Sequence, residues 1–150
     1  LASLSLTGDG IGSAGAIAIA EALRENATLR ALSLSGNLIG DDGAAAIADS
    51  LRGNTGLASL YLVRDGIGDA GAIAIAGALR ENATLTGLHL LDNFGIGKDG
   101  IIALADAMRT NTSLTEMRLD GDGAREPLRT IQSALRRNND AVPPQVCHRA

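Results

Sequence analysis

Three glycine-rich turns carry the clearest chemical pattern in this chain of 150 residues. The pattern Gly-x-Gly-x-x-Gly begins at Gly10, Gly66 and Gly95, and each copy lies between a predicted strand and a predicted helix. In that setting the motif binds the pyrophosphate of a dinucleotide. In the first two copies, however, three residues separate the last leucine of the strand from the first glycine, and Asp9 and Asp65 would place carboxylates beside the phosphates. We therefore interpret the glycines as tight turns and close helix contacts, and we expect no cofactor.

The other reactive groups lack the partners that catalysis or metal binding requires. Cys147 and His148 are neighbours in the C-terminal tail, where no scaffold orients a thiol toward an imidazole. Asp120 and Asp122 begin like a calcium loop, but the later ligands of such a loop are missing. The sequence predicts a chain without enzymatic activity and without a bound metal.

A second set of residues is suited to binding a protein. Tyr61, His89 and Arg118 follow one another at intervals of 28 and 29 residues. Tyr and Arg are enriched among the residues that contribute most to protein interfaces. Val63 and Leu91 are predicted to be exposed apolar residues surrounded by charged ones, and such an arrangement also favours a contact surface. The neighbouring candidates for partner binding are Val63, Arg64, Leu91, Asp92 and Asp120.

The regular spacing of these residues comes from an internal repeat. The pattern Leu-x-x-Leu-x-Leu begins at positions 1, 29, 57, 85 and 114, with Met117 replacing one leucine in the last copy. The first and third units are identical at 23 of 28 positions. We predict one domain over residues 1–142 and a C-terminal tail over 143–150. The predicted repeats are 1–28, 29–56, 57–84, 85–113 and 114–141.

Each repeat divides into a strand and a helix. Residues 3–7 alternate apolar and polar side chains, as a strand does, and residues 16–24 are rich in helix formers. Ser13, Asp41 and Asp69 are the predicted N-caps of their own helices. Because Asn tolerates the left-handed conformation that closes many helices, the predicted helix ends are Asn26, Asn54, Asn82 and Asn111.

Strand–helix units that repeat in one direction must stack as parallel strands with right-handed crossovers. Strands lie about 4.8 Å apart and helices about 8–10 Å apart, so the stack must curve with the strands on its concave side. If Leu4 and Leu6 point into the core, the fifth position of every repeat points to the concave face. This arrangement predicts one row on that face, formed by Tyr61, His89 and Arg118.

The segment from Leu29 to Ala44 reads Leu-x-x-Leu-x-Leu-x-x-Asn-x-Ile-Gly-x-x-Gly-Ala. It resembles the leucine-rich repeats of the ribonuclease-inhibitor class, which includes NOD-like receptors and the Ran GTPase-activating protein. The resemblance implies an α/β solenoid, a short curved horseshoe with a parallel β-sheet on its concave face and helices on its convex face. The class places Asn or Cys at the ninth position, where this chain keeps Asn37 and Asn93 but has Asp9, Asp65 and Asp122 in the other repeats. The ladder of hydrogen bonds at that position must therefore be modified.

The composition narrows the function further. A net charge of −4 argues against nucleic-acid binding, and the longest apolar run, ten residues from Ala70 to Leu79 with its two glycines counted, is too short to insert in a membrane. No signal-peptide pattern is visible, which predicts an intracellular protein. We favour a non-enzymatic module that binds a partner protein through its concave face or its repeat ends. The alternatives are a subunit of a larger assembly, the sensor arc of a NOD-like receptor, and an inhibitor that covers an enzyme's active site. A further alternative is docking through the final predicted helix, which is basic because it carries Arg129, Arg136 and Arg137.

Overall fold

A computed structural model describes residues 2–121 and 123–141. Each repeat forms a three-residue strand followed by a helix. The predictions that concern Leu1, Asp122, Cys147, His148 and residues 142–150 lie outside the described residues. In chain order the elements are β1 (Ser3–Ser5), α1 (Gly12–Glu25), β2 (Ala31–Ser33), α2 (Gly40–Leu51), β3 (Ser59–Tyr61), α3 (Asp69–Leu79), β4 (Gly87–His89), α4 (Lys98–Met108), β5 (Glu116–Arg118) and α5 (Arg125–Ala141).

The five strands form one parallel sheet in the order β1-β2-β3-β4-β5. Equivalent positions of successive repeats pair directly, so that Leu32 lies beside Leu60 and Leu60 beside Leu88. Each helix packs against the helices that precede and follow it in the chain. The predicted α/β solenoid, with its sheet on the concave side and its helices on the convex side, is confirmed. No helix in the described ranges is long and apolar enough to cross a membrane.

The core lies between the sheet and the helices. The strand leucines Leu32, Leu60 and Leu88 are fully buried, as are the helical residues Ala44 and Ala72. Burial of a leucine side chain stabilises a fold by roughly 1.5–3 kcal/mol. The small alanines let neighbouring helices approach, so each repeat contributes the same thin apolar layer.

Two of the predicted N-cap residues, Asp41 and Asp69, cap the helix of the following repeat and not their own helix. Asp41 lies in the first turn of α2, but its Oδ1 accepts hydrogen bonds from the amides of Gly68 and Gly71, both at 2.8 Å, at the start of α3. Asp69 accepts in the same way from the amides at the start of α4. Ser13 lies within the first turn of α1, and the residue that precedes that helix, Ile11, has no side-chain cap bond. The prediction that these residues cap their own helices was wrong, because stacking places each aspartate beside the next helix.

The same contact explains the glycine-rich motif that begins at Gly66. A Cβ on Gly71 would lie 2.7 Å from Asp41 Oδ1 and 2.7 Å from Ile67 Cγ2, which is closer than real Cβ atoms approach. Gly66 has a φ of 69°, the left-handed conformation that glycine adopts readily. An internal carboxylate thus occupies the helix N-terminus at which a pyrophosphate would bind. These distances support the interpretation of the glycines as turn and close-contact residues.

The asparagines at the helix ends also act differently from the prediction. Asn26 is extended, with φ −87° and ψ 117°, and none of the four asparagines is among the described residues with positive φ. Asn82 instead reaches back to the preceding repeat. Its Nδ2 donates to the carbonyl of Leu51 at 2.8 Å and to that of Asn54 at 3.3 Å, while its Oδ1 accepts from the amide of Leu85 at 2.8 Å. The asparagines therefore form a ladder that joins the repeats.

The N-terminal edge of the sheet is the least covered part of the core. Leu4 and Leu6 are half-buried, whereas the equivalent Leu32 and Leu34 are fully buried. Among the described residues, β1 pairs only with β2, and it carries no charged side chain that would oppose pairing with a further strand. We expect the 150-residue chain to self-associate as its concentration rises. Light scattering that shows a monomer up to millimolar concentration would contradict this expectation.

Candidate partner-binding surface

The register of the sheet brings three predicted binding residues into one row, which we call the strip: Tyr61, His89 and Arg118. Tyr61 pairs with His89 across β3 and β4, and His89 pairs with Arg118 across β4 and β5. The Tyr61 and His89 rings stack with their centroids 4.4 Å apart and their planes 23° apart. The His89 side chain is 15% exposed. The two rings therefore form one stacked unit with limited freedom to move.

Glu116 belongs to this surface, although sequence reasoning missed it. Arg118 Nε donates a hydrogen bond to Glu116 Oε1 at 2.7 Å, and His89 Nε2 lies 3.8 Å from the same oxygen. The hydrogen bond from Arg118, with the nearby His89, lowers the pKa of Glu116 below its ordinary value. The sequence contained a signal for Glu116, because it is the single charged residue at the third position of the repeats. The other four repeats have Ser3, Ala31, Ser59 and Gly87 there.

The strip can bind a protein but offers no arrangement for covalent chemistry. Its aromatic part is a pair of stacked rings, and Arg118 has a side chain that is 60% exposed. A guanidinium has five N–H donors, so Arg118 keeps donors for a partner's carboxylate or carbonyl while Glu116 orients it. Within residues 2–121 and 123–141, no three His, Cys, Asp or Glu side chains are grouped to hold a metal ion.

The five remaining predicted residues lie beside the strip. Arg64 Nη2 is 3.2 Å from Asp92 Oδ2, and the Asp92 amide donates to Asp120 Oδ2 at 2.6 Å. Val63 and Leu91 are half-buried. The structure thus gathers all the predicted candidates at repeats three to five, but part of their charge is already satisfied within the chain.

Arg64 and Asp92 occupy backbone positions that favour glycine. Their φ angles are 57° and 62°, and the equivalent residues in the first two repeats are Gly8 and Gly36, at 73° and 75°. A residue with a Cβ is destabilised in this conformation by roughly 1–2 kcal/mol. Such strain concentrates at functional sites, where a side chain is retained for a reason other than stability.

A cavity next to the strip was not predicted from the sequence. It has a volume of about 260 Å³ and lies between β5 and α5. Strip residue Arg118 lines it together with apolar side chains, and it is therefore suited to an apolar side chain of a partner. Sequence reasoning missed the cavity because its shape depends on where α5 packs. The other lining residues are Leu91, Met117, Leu119, Leu128, Ile131, Gln132 and Leu135.

The first two repeats present a contrasting surface on the same face. Thr7 Oγ1 lies 3.2 Å from Ser5 Oγ and 2.9 Å from Ser33 Oγ, so these hydroxyls bond to one another. Ser35 Oγ accepts from the amide of Val63 at 3.1 Å. Small hydroxyls that satisfy each other offer little to a partner, and Ser5 and Ser33 are therefore suitable control positions.

Comparison with known proteins agrees with this architecture. The family profile for the leucine-rich repeat matches residues 25–48. The solved structure titled Leiomodin-1 Actin-Binding Site 2 has 28% identity and a TM-score of 0.86, and the match covers 92% of this chain and 80% of that one. The tropomodulin C-terminal domain of Caenorhabditis elegans has 14% identity and a TM-score of 0.84, and covers 93% of this chain and 85% of that one.

No curated protein matches the chain significantly. The fivefold strand–helix unit, the parallel sheet of sequential strands and the profile match agree with one another. The assignment to the ribonuclease-inhibitor class of leucine-rich repeats stays a prediction from the sequence. The chain therefore has the fold of leucine-rich repeat proteins, and residues 25–48 match the profile of that family.

Proposed function

We propose that the chain is a non-enzymatic protein-binding module that contacts its partner through the strip. The observation that carries this proposal is the row of Tyr61, His89 and Arg118, in which two stacked rings lie beside an oriented guanidinium. Aromatic residues and arginine at the centre of an interface contribute most of its binding energy. The flanking charges and half-buried apolar residues form the rim that such a centre requires.

The geometry also favours binding, because the side chains of the strip are already held in place before a partner binds. The strip lies on three hydrogen-bonded strands, and the His89 ring is held between Tyr61 and Glu116. A surface that is fixed before binding loses less side-chain entropy in the complex. The cavity beside Arg118 adds a place for one apolar side chain of the partner.

Actin is the candidate partner that a specific observation favours. The leiomodin-1 structure, whose title names an actin-binding site, resembles this chain over 92% of its length. The resemblance supports actin as the first protein to test. The other functions stay predictions from the sequence: a scaffold subunit, a receptor arc, an enzyme inhibitor and docking through the basic final helix. The intracellular location is likewise a prediction from the sequence.

The strip variants test the proposal directly. We expect Tyr61→Ala and Arg118→Ala each to weaken the complex with actin by about 30-fold, since removing a central anchor costs roughly 2 kcal/mol. Both should leave the free energy of unfolding within about 1 kcal/mol of the wild type, because neither side chain lies in the core and Tyr61 loses one cross-strand pair. Sedimentation with actin measures the first effect, and thermal unfolding measures the second.

Ser5→Ala and Ser33→Ala are the matched controls, because both lie in the same row of the sheet. They should change the affinity less than twofold. Binding of actin that is unaffected by Tyr61→Ala and Arg118→Ala would contradict the strip as the interface. An absence of actin binding would reject actin, and the same variants would then be tested with a partner captured from the native cell.

A further inference from the structure

A second surface lies at the ends of the strands, on the loops that lead into the helices. We call it the loop edge and define it by Leu38, Arg64, Asp92 and Phe94. Leu38 is 74% exposed and Phe94 is 84% exposed. The next most exposed large apolar residue in the described ranges, Ile73, is 48% exposed. The two most exposed large apolar side chains therefore lie on one edge.

The backbone of this edge is also strained. Leu38, Arg64 and Asp92, with φ angles of 53°, 57° and 62°, are the non-glycine residues with positive φ in the part of the chain that the structure describes. Where Leu38 stands, the first and third repeats have Gly10 and Gly66 in the same conformation. Leu38 is thus unfavourable twice, through its backbone conformation and through its exposed side chain. Retention of such a residue points to a contact that the chain alone does not make.

The spacing of the two apolar side chains limits what can contact both. They lie on the loops after β2 and β4, two strand spacings apart, which is about 10 Å. Side chains on one face of an extended partner strand lie roughly 7 or 13 Å apart and do not match this distance. Positions i and i+7 of an α-helix lie on one face about 10.5 Å apart, which does match.

Charged residues lie beside the two apolar residues, two positions earlier on the loops of the third and fourth repeats. Arg64 and Asp92 form an ion pair of 3.2 Å, and the Arg64 side chain is 77% exposed. A helix that crosses the edge would pass alongside this pair, and polar or charged side chains are favoured on the flank of the helix that faces it. The edge is also continuous with the strip. Val63 and Leu91, which lie beside the strip, directly precede Arg64 and Asp92 of the edge in the sequence.

We propose that the loop edge binds an amphipathic helix of a partner protein, with apolar side chains at i and i+7 and polar side chains on the flank that faces Arg64 and Asp92. The inference rests on the proposed protein-binding function, but it assigns Leu38 and Phe94 a role that the strip does not require. The probe is a displayed library of helical peptides, selected against the full 150-residue chain.

Three variants make the test specific. Leu38→Gly and Phe94→Ala should each weaken a selected helix at least tenfold, whereas Ile73→Ala, an exposed apolar residue of α3, should leave its affinity unchanged. Leu38→Gly should raise the Tm by a few degrees, because glycine adopts the left-handed conformation without strain. A lower Tm for Leu38→Gly would mean that Leu38 supports the fold, and it would overturn the argument from strain.

Phe94 also provides a direct signal, because it is the single Phe of the chain and can be replaced throughout by 4-fluorophenylalanine. The ¹⁹F signal should shift when a selected helix binds. Failure to select any helix, or selected peptides that ignore both loop-edge variants, would overturn the inference. Peptides that respond to Tyr61→Ala but not to Leu38→Gly would overturn it while supporting the proposed function. Actin binding that ignores the strip variants but is lost with Phe94→Ala would support the loop edge and contradict the strip.

Discussion

Asn82→Ala is expected to destabilise the fold by about 3–5 kcal/mol. Asn82 is buried, and its amide group donates to the carbonyls of Leu51 and Asn54 while its Oδ1 accepts from the amides of Thr84 and Leu85. Alanine removes both donors and the acceptor, and each buried group that is left unpaired costs roughly 1–3 kcal/mol. Denaturant unfolding followed by circular dichroism measures the loss.

Asn26→Ala provides the matched control at the same position of the first repeat. Asn26 is exposed, and its Oδ1 accepts from the amides of Thr28 and Leu29. Within the described residues no earlier repeat supplies carbonyls for its Nδ2. We expect a loss of about 1 kcal/mol. Equal losses for Asn26→Ala and Asn82→Ala would show that the hydrogen bonds between repeats contribute little.

The second large effect has the opposite sign: Asp65→Asn is expected to stabilise the fold at neutral pH by about 2–3 kcal/mol. Asp65 is fully buried and its Oδ2 has no hydrogen-bond partner among the described residues, while its Oδ1 accepts from the Asn37 amide at 2.8 Å. At the equivalent position of the next repeat, Asn93 Nδ2 donates to the carbonyls of Leu62 and Leu90. An Asn at position 65 would supply the missing donor.

The pH dependence of this effect has a defined direction. Burial raises the pKa of Asp65 from its ordinary 3.8 to about 6, against the lowering effect of the amides of Asn37 and Leu38. Between these values the folded chain holds a proton that the unfolded chain has released. Protonation therefore favours the folded state, and the stability from this group is lost as pH rises through 6. The advantage of Asp65→Asn should be large at pH 7.5 and small at pH 4.

Thermal unfolding at the two pH values checks this prediction, and at pH 7.5 the Tm should rise by roughly 5–10 °C. Asp9→Asn is the control, because Asp9 holds the same position of the first repeat and is exposed. It should change the Tm by less than about 1 °C. A gain for Asp65→Asn that is equal at pH 4 and pH 7.5 would show that the buried charge is not its origin.

The repeat made the fold predictable before any coordinates. Leucines at fixed intervals specify both the strands and the face that they bury, so the sequential parallel sheet and the Tyr61–His89–Arg118 row followed from spacing alone. Contacts between repeats were predicted less well. Asp41 and Asn82 were assigned to their own helices, because local rules of capping describe one helix at a time. Their actual partners lie one repeat away in the stack.

The binding surface was predictable to the extent that it lies on strands. Glu116 was missed although its charge is unique among the third positions of the repeats, because its role depends on its contact with Arg118. The cavity beside Arg118 was missed because it depends on the packing of α5. The loop edge was missed for another reason. Leu38 and Phe94 stand out only when their exposure is known, and the left-handed conformation of Leu38 is visible only in the backbone.

The central claim, that a partner protein contacts the strip, has one direct measurement. Tyr61 is the single Tyr of the chain, so growth with 3-fluorotyrosine places one ¹⁹F label in the strip without a substitution. The account predicts that the chemical shift of this label changes on titration with actin and saturates together with complex formation measured by sedimentation. A complex that forms with actin while the Tyr61 signal keeps its chemical shift would contradict the claim.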